Sequence, residues 1–115
     1  MSPSFSATAT GTNVNLTLVG IIQIAAADMG SNGVIYLGAR LNDLWYFQNA
    51  SGGWVSWTGG TIPTYYSGPL VDRTVSIVQD FDVRSLLGIQ VYVGYGRDEL
   101  DLVQNHKYSA VYTVR

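Results

Sequence analysis

The sequence predicts an all-β fold, an antiparallel β-sandwich of about seven strands with Ig-like or Greek-key connections and one or two short helical turns. Three observations carry the expectation. Several segments alternate apolar and polar residues with period two, the mark of half-buried strands. Clusters of Gly, Pro, Asn, Asp and Ser separate these segments at short intervals. Only residues 82–88 and 98–104 read as helical, and each is a turn or two long. A small, partly open barrel is the alternative closure.

Taken in order, residues 1–12 are small, polar and rich in Ser and Thr, and read as a linker from a preceding domain or as an edge strand. The sandwich domain then spans residues 13–115. Val14, Leu16, Leu18, Ile22 and Ile24 share one parity, and Gly20 marks a bulge or a bend in a strand long enough to pass between sheets. Asp28-Met29-Gly30-Ser31-Asn32-Gly33 is a turn, followed by a strand from Val34 to Arg40. Leu44–Gln48 and Trp54–Thr58 flank the polar loop Asn49-Ala50-Ser51-Gly52-Gly53, a β-hairpin that holds all three tryptophans. Residues 58–69 contain glycines and prolines unsuited to a central strand, so they read as loop. Strands follow at Val71–Val78 and Ile89–Tyr95, the latter with Ile89, Val91, Val93 and Tyr95 inward. Between them Asp82 is a candidate N-cap and Gly88 a stop. Asp98–Gln104 carries acids in its first turn, where the helix dipole favours them. The closing strand, Lys107–Arg115, alternates with Val111 as its one exception.

Composition excludes more than it assigns. The chain has 115 residues and no cysteine, so one hydrophobic core must hold it without disulfides. Charged residues make up 12 %, about half the usual share. The six cations, at Arg40, Arg73, Arg84, Arg97, Lys107 and Arg115, are scattered, and the net charge is −2. Nucleic-acid binding needs a cluster of cations, so it is not expected. Leu16–Ala27 is the most apolar stretch, but it is interrupted and shorter than the ~20 residues of a membrane span. No cation precedes Arg40, so the basic start of an export signal is missing; if the protein is exported, its signal lies outside this sequence. Sparse charge with abundant Thr, Ser, Gly and Tyr suits an extracellular or surface-displayed module.

Catalytic constellations are not apparent. His106 is the only histidine, which excludes Cys–His dyads and multi-imidazole zinc sites. Asp80 with Asp82, and Asp98 with Glu99 and Asp101, fit no calcium-loop pattern and read as a capped turn and a helix start. Nothing selects two acids for glycoside hydrolysis. Gly94-Tyr95-Gly96 lacks the third glycine and the βαβ setting of a dinucleotide fold. No cofactor or metal is expected, and the chain reads as a non-enzyme. The aromatic cluster Trp45, Trp54, Trp57, Tyr65 and Tyr66 is the sharpest chemical feature. Flat rings beside glycine-rich loops suit the C–H faces of sugars. Strand alternation sends at least two of these rings to the core. Trp54, Tyr65 and Tyr66 are the candidates for an exposed stacking platform, with Asn49 as a polar neighbour.

The run Ile89-Gln90-Val91-Tyr92-Val93-Gly94-Tyr95-Gly96 and the run Lys107-Tyr108-Ser109-Ala110-Val111-Tyr112-Thr113-Val114, with Trp57-Thr58-Gly59-Gly60 and Ala27-Asp28-Met29-Gly30, resemble small Ig-like β-sandwich accessory modules of bacterial secreted or surface multidomain proteins. The resemblance covers the chain from about Asn13 onward and implies an exported domain without catalysis of its own. The expected role is therefore a structural or spacer module that binds a protein or glycan at the cell surface. A carbohydrate-binding module is the alternative, and a self-associating fibre subunit using an edge strand is the second.

Overall fold

The computed structural model describes residues 3–115. Two antiparallel sheets face one another, and nine strands form them. The smaller sheet has the order β1 (Ser4–Thr10), β2 (Leu16–Gln23), β7 (Arg73–Phe81). The larger has the order β5 (Trp54–Trp57), β4 (Leu44–Gln48), β3 (Asn32–Leu41), β8 (Gln90–Gly96), β9 (Tyr108–Thr113), and β6 (Tyr66–Pro69) also pairs with β3. One 3₁₀ turn, Arg84–Leu86, and one short helix, α1 (Glu99–Gln104), complete the fold.

Alternation along the strands builds the core as expected. Leu18 and Ile22 of β2, Ile35 and Leu37 of β3, Val75 and Ile77 of β7, and Val93 and Tyr95 of β8 meet between the sheets. The chain crosses between sheets three times, from β2 to β3, from β6 to β7 and from β7 to β8, and the pairs β2–β7 and β3–β8 carry most of the core residues of the two layers. On one flank β1 lies against β9. On the other, β7 has no strand beyond it.

Several expectations need correction. Nine strands replace seven, because two segments read as loop or as ambiguous are paired. Ser4–Thr10 is an edge strand on β2. Tyr66–Pro69 is a strand despite Gly68 and Pro69, because it pairs with only the first four residues of β3 and leaves an edge where a missing N–H is tolerated. β2 does not bend into the other sheet; it stays beside β7, and two register shifts place the extra residues in β7. Asp80, at φ 48, takes the left-handed conformation there. Gly20 instead supplies room: a Cβ there would lie 3.1 Å from Val75 and Ile77. Val14, grouped with the inward parity, is exposed.

The helical stretches resolve differently. Asp98 caps α1 by accepting from Asp101 N at 2.8 Å. Asp82 does not cap the 3₁₀ turn, whose N-cap position is Val83; its carboxylate instead holds the Arg84 backbone N–H and guanidinium. The parity exception at Val111 is a β-bulge. Tyr92 faces Ala110 and Val91 faces Tyr112, so Val111 is the extra residue.

Candidate binding site on the outer face of the larger sheet

The hairpin register sets the site. Gln48 pairs with Trp54 across the five-residue loop, which brings Trp45 opposite Trp57 and Phe47 opposite Val55 on one face. Continuing across the sheet, Phe47 neighbours Gly38, and Gly38 neighbours Tyr92. One step along, Tyr36 neighbours Gly94, and Gly94 neighbours Tyr108. Rings therefore alternate with glycines on the face that points away from the core. The result is a trough of about 260 Å³ walled by Trp45, Phe47, Trp57, Tyr92 and Tyr108.

The glycines matter because they have no side chain to fill the floor. A Cβ at Gly38 would come 2.9 Å from Phe47 Cε1, and one at Gly94 would come 2.7 Å from both Leu102 and Tyr108. Aromatic contacts hold the walls. Trp45 stacks on Phe47 with centroids 5.7 Å apart and planes 6° from parallel, and Phe47 meets Trp57 edge-on at 5.7 Å. Trp45 also approaches Tyr92 at 5.0 Å. α1 closes one end through Leu102, and Ile62 packs beside it.

Polar groups border this apolar surface. Arg40 lies 5.8 Å from the Trp45 ring. Tyr92 OH donates to Gln90 Oε1 at 3.3 Å. His106, at φ 51, stacks on Tyr108 at 4.2 Å. Burial, reinforced by the negative charges of Glu99 and Asp98, pushes the Tyr36 phenol up to about 12, so it stays protonated and able to donate. Chemically the trough can stack a flat or weakly polar ring and offer it donors at the edge; it holds no nucleophile with an adjacent base.

The residues singled out from the sequence go elsewhere. Trp54 turns to the opposite face of the hairpin, half-buried against both inner clusters. There it helps line an apolar cleft of about 320 Å³ between the sheets, with Leu16, Leu18, Ile77, Phe81 and Val83. Tyr65 and Tyr66 are half-buried and line a separate polar pocket of about 420 Å³ on the β7 flank. Asn49 is occupied by its own loop, with Oδ1 accepting from Ser51 N and Gly53 N at 3.0 Å each. Tyr65, Tyr66 and Trp54 all pack on the same inner cluster, but only the two tyrosines line the polar pocket. Trp45 and Trp57, which strand parity could equally have sent inward, are the half-buried pair on the outer face. Tyr92 and Tyr108 had no place in the sequence-derived cluster. Hairpin register arithmetic, together with Gly38 and Gly94 among aromatics, is the signal that points to them.

Asp28, Asp101 and Glu99 serve the fold. Asp28, 4 % exposed, accepts from Lys107 Nζ at 2.8 Å and Tyr95 OH at 2.9 Å, and pairs with Arg97 at 3.2 Å. Lys107 Nζ also donates to Asp101 at 2.8 Å. Burial alone would raise the Asp28 and Asp101 carboxyls, but hydrogen bonds and cation charges outweigh it; Asp28 is held low, and Asp101 lies at about 2. Glu99 accepts from Ile62 N at 2.6 Å. Among the described residues no group of three His, Asp or Glu is placed to hold a metal ion, and no helix is long and apolar enough to cross a membrane. The chain matches no protein-family model, and no curated protein or solved structure is significantly similar to it.

Proposed function

We propose that this chain is a non-catalytic β-sandwich module of an extracellular or surface protein, and that its outer-face trough binds a saccharide. The carrying observation is the convergence of Trp45, Trp57, Tyr92 and Tyr108 around the glycine positions Gly38 and Gly94. A sugar presents C–H faces to the negative face of an aromatic ring, and its hydroxyls need donors and acceptors at the edge. Trp45 and Trp57 supply such faces, and Tyr36, Tyr92, Gln90 and Arg40 supply polar atoms around them. Strands hold these groups more rigidly than loops would, which limits the ordering cost of binding.

The test is a glycan array followed by titration of the leading neutral saccharide, read by tryptophan fluorescence. Trp45→Ala and Trp57→Ala should each weaken binding about tenfold, the equivalent of about 1.4 kcal/mol. Trp54→Phe, on the other face, should leave affinity unchanged. No glycan signal, or full affinity in Trp45→Ala, would end the saccharide reading and favour a spacer module. The free flank of β7 supports the self-association reading to this extent: an unpaired strand edge is a template for another chain. Concentration-dependent sedimentation tests it.

A further inference from the structure

The polar pocket on the β7 flank contains two mismatches. Gln48, 7 % exposed, donates through Nε2 to Gly52 O at 3.1 Å, but its Oε1 has no partner. Arg73 lies with its guanidinium 3.9 Å over the Tyr66 ring and one nitrogen 3.4 Å from Pro69 O, yet its buried Nε–H is also unpaired. A buried polar atom without a partner costs about 1–3 kcal/mol, so two in one pocket require an explanation. Both line the same space, with Ser51, Tyr65, Thr74 and Ser76 around them.

Charge narrows the ligand. Arg40, Arg84, Arg97 and Lys107 each have a carboxylate partner; among the described residues Arg73 and Arg115 have none, and of these two only Arg73 lines the pocket. Its sequence neighbour Asp72 is turned to the β2–β3 connection, where Oδ1 accepts from Ile24 N at 2.7 Å. Arg73 also starts β7, an edge strand, so alternate backbone N–H and C=O groups along Arg73–Ser76 point away from β2. The pocket therefore offers one uncompensated guanidinium, an amide acceptor, strand-edge groups and an aromatic face.

We propose that this pocket is a binding site for an acidic sugar residue of the hexuronic type. Its carboxylate meets the guanidinium of Arg73, whose planar fork matches carboxylate geometry. Gln48 Oε1 is closed to solvent in the free protein, so the side chain turns toward the pocket to accept from a ring hydroxyl, and the apolar side of the ring rests on Tyr65. Fully ionised phosphate or sulfate satisfies Arg73 but has no proton for Gln48 Oε1. The site shares only the ligand class with the trough, from which it is spatially separate.

The probes are methyl galacturonoside, its methyl ester, methyl galactoside and acetate, each titrated into the full chain and followed by amide and side-chain NMR. The acid should shift the Arg73 Nε–H and Gln48 Nε2 signals and bind at least tenfold more tightly than the ester, with affinity falling as salt rises. Arg73→Gln should abolish this preference, Arg73→Lys should retain part of it, and Trp45→Ala should leave it intact. Equal affinity for acid and ester in the unaltered chain overturns the assignment. So does acetate matching the acid, or shifts centred on Trp45 and Trp57. The neutral-sugar titration at the trough fails or succeeds independently.

Discussion

Replacing Lys107 by Met removes the centre of the ion cluster while keeping most of the stem. Lys107 Nζ bridges Asp28 Oδ2 and Asp101 Oδ2, each at 2.8 Å, and its side chain is only 15 % exposed. Breaking a buried pair from one side costs about 3–5 kcal/mol, because the remaining charge is stranded. Here Asp28 keeps Tyr95 and Arg97, and Asp101 keeps Arg97 N and Asn105 Nδ2. The low end, about 3 kcal/mol, is therefore expected, or a Tm lowered by about 12 °C at roughly 4 °C per kcal/mol. Urea melts followed by far-ultraviolet circular dichroism at pH 7 measure it. The pH dependence follows from the shifts. The Asp28 and Asp101 carboxyls are depressed, so their contribution is present above the usual 3.8 and is lost as pH falls through the lowered values, about 2 for Asp101. For the Lys107 ammonium, burial alone would lower the pKa, but its bonds to Asp101 and Asp28 raise it. That contribution is present below 10.5 and is lost only as pH climbs through the raised value. Lys107→Met should flatten both flanks of the profile. Asp28→Asn with Lys107→Met should cost at least 1 kcal/mol less than the sum of the singles. Additive losses, or a single-variant cost below 1 kcal/mol, refute the coupled-cluster account.

Other positions give sharp expectations. Gly33→Ala places a Cβ 2.5 Å from Gly96 O, a backbone atom of the neighbouring strand, so denaturant melts should show a loss of about 2 kcal/mol or more. Asn49→Ala strips the hairpin loop of two acceptor contacts, and a loss of about 1 kcal/mol is expected by the same assay. Gly38→Val must displace the Phe47 ring that leans over it, so it should abolish saccharide binding in the fluorescence titration and cost about 1–3 kcal/mol in stability. Leu18→Ala, at 1 % exposure in the middle of the core, should lower stability by about 2–5 kcal/mol in urea without changing ligand affinity in folded protein.

Legibility in the sequence depended on how different the two faces of a strand are. In β8, Val91, Val93 and Tyr95 are aliphatic or buried aromatic, and their inward direction could be read from spacing alone. α1 was readable because Asp98 sits where a cap belongs. In β4 both faces are apolar: Trp45 and Phe47 on one, Leu44 and Tyr46 on the other. Period-two counting then groups the residues but does not say which group faces the partner sheet. That choice is tertiary. It depends on the smaller sheet lying over Ile35, Leu37 and Val93 rather than over Tyr36 and Tyr92, which no local pattern states.

The same ambiguity explains why the trough is a better candidate surface than the expected Trp54–Tyr65–Tyr66 platform. A strand carrying large apolar side chains on both faces must cover both or expose one. Inside, the core covers Ile35, Leu37, Val91 and Val93. Outside, coverage comes only from α1, Ile62 and the rings packing on each other, and Trp45 and Trp57 remain half-buried. Stability alone would be better served by small polar residues on that face, as on the outer side of β7, where Thr74, Ser76 and Gln79 are exposed. The contrast between the two outer faces of one sandwich, polar on β7 and ring-lined on β4, β5 and β8, therefore supports a ligand as the reason for the aromatic face.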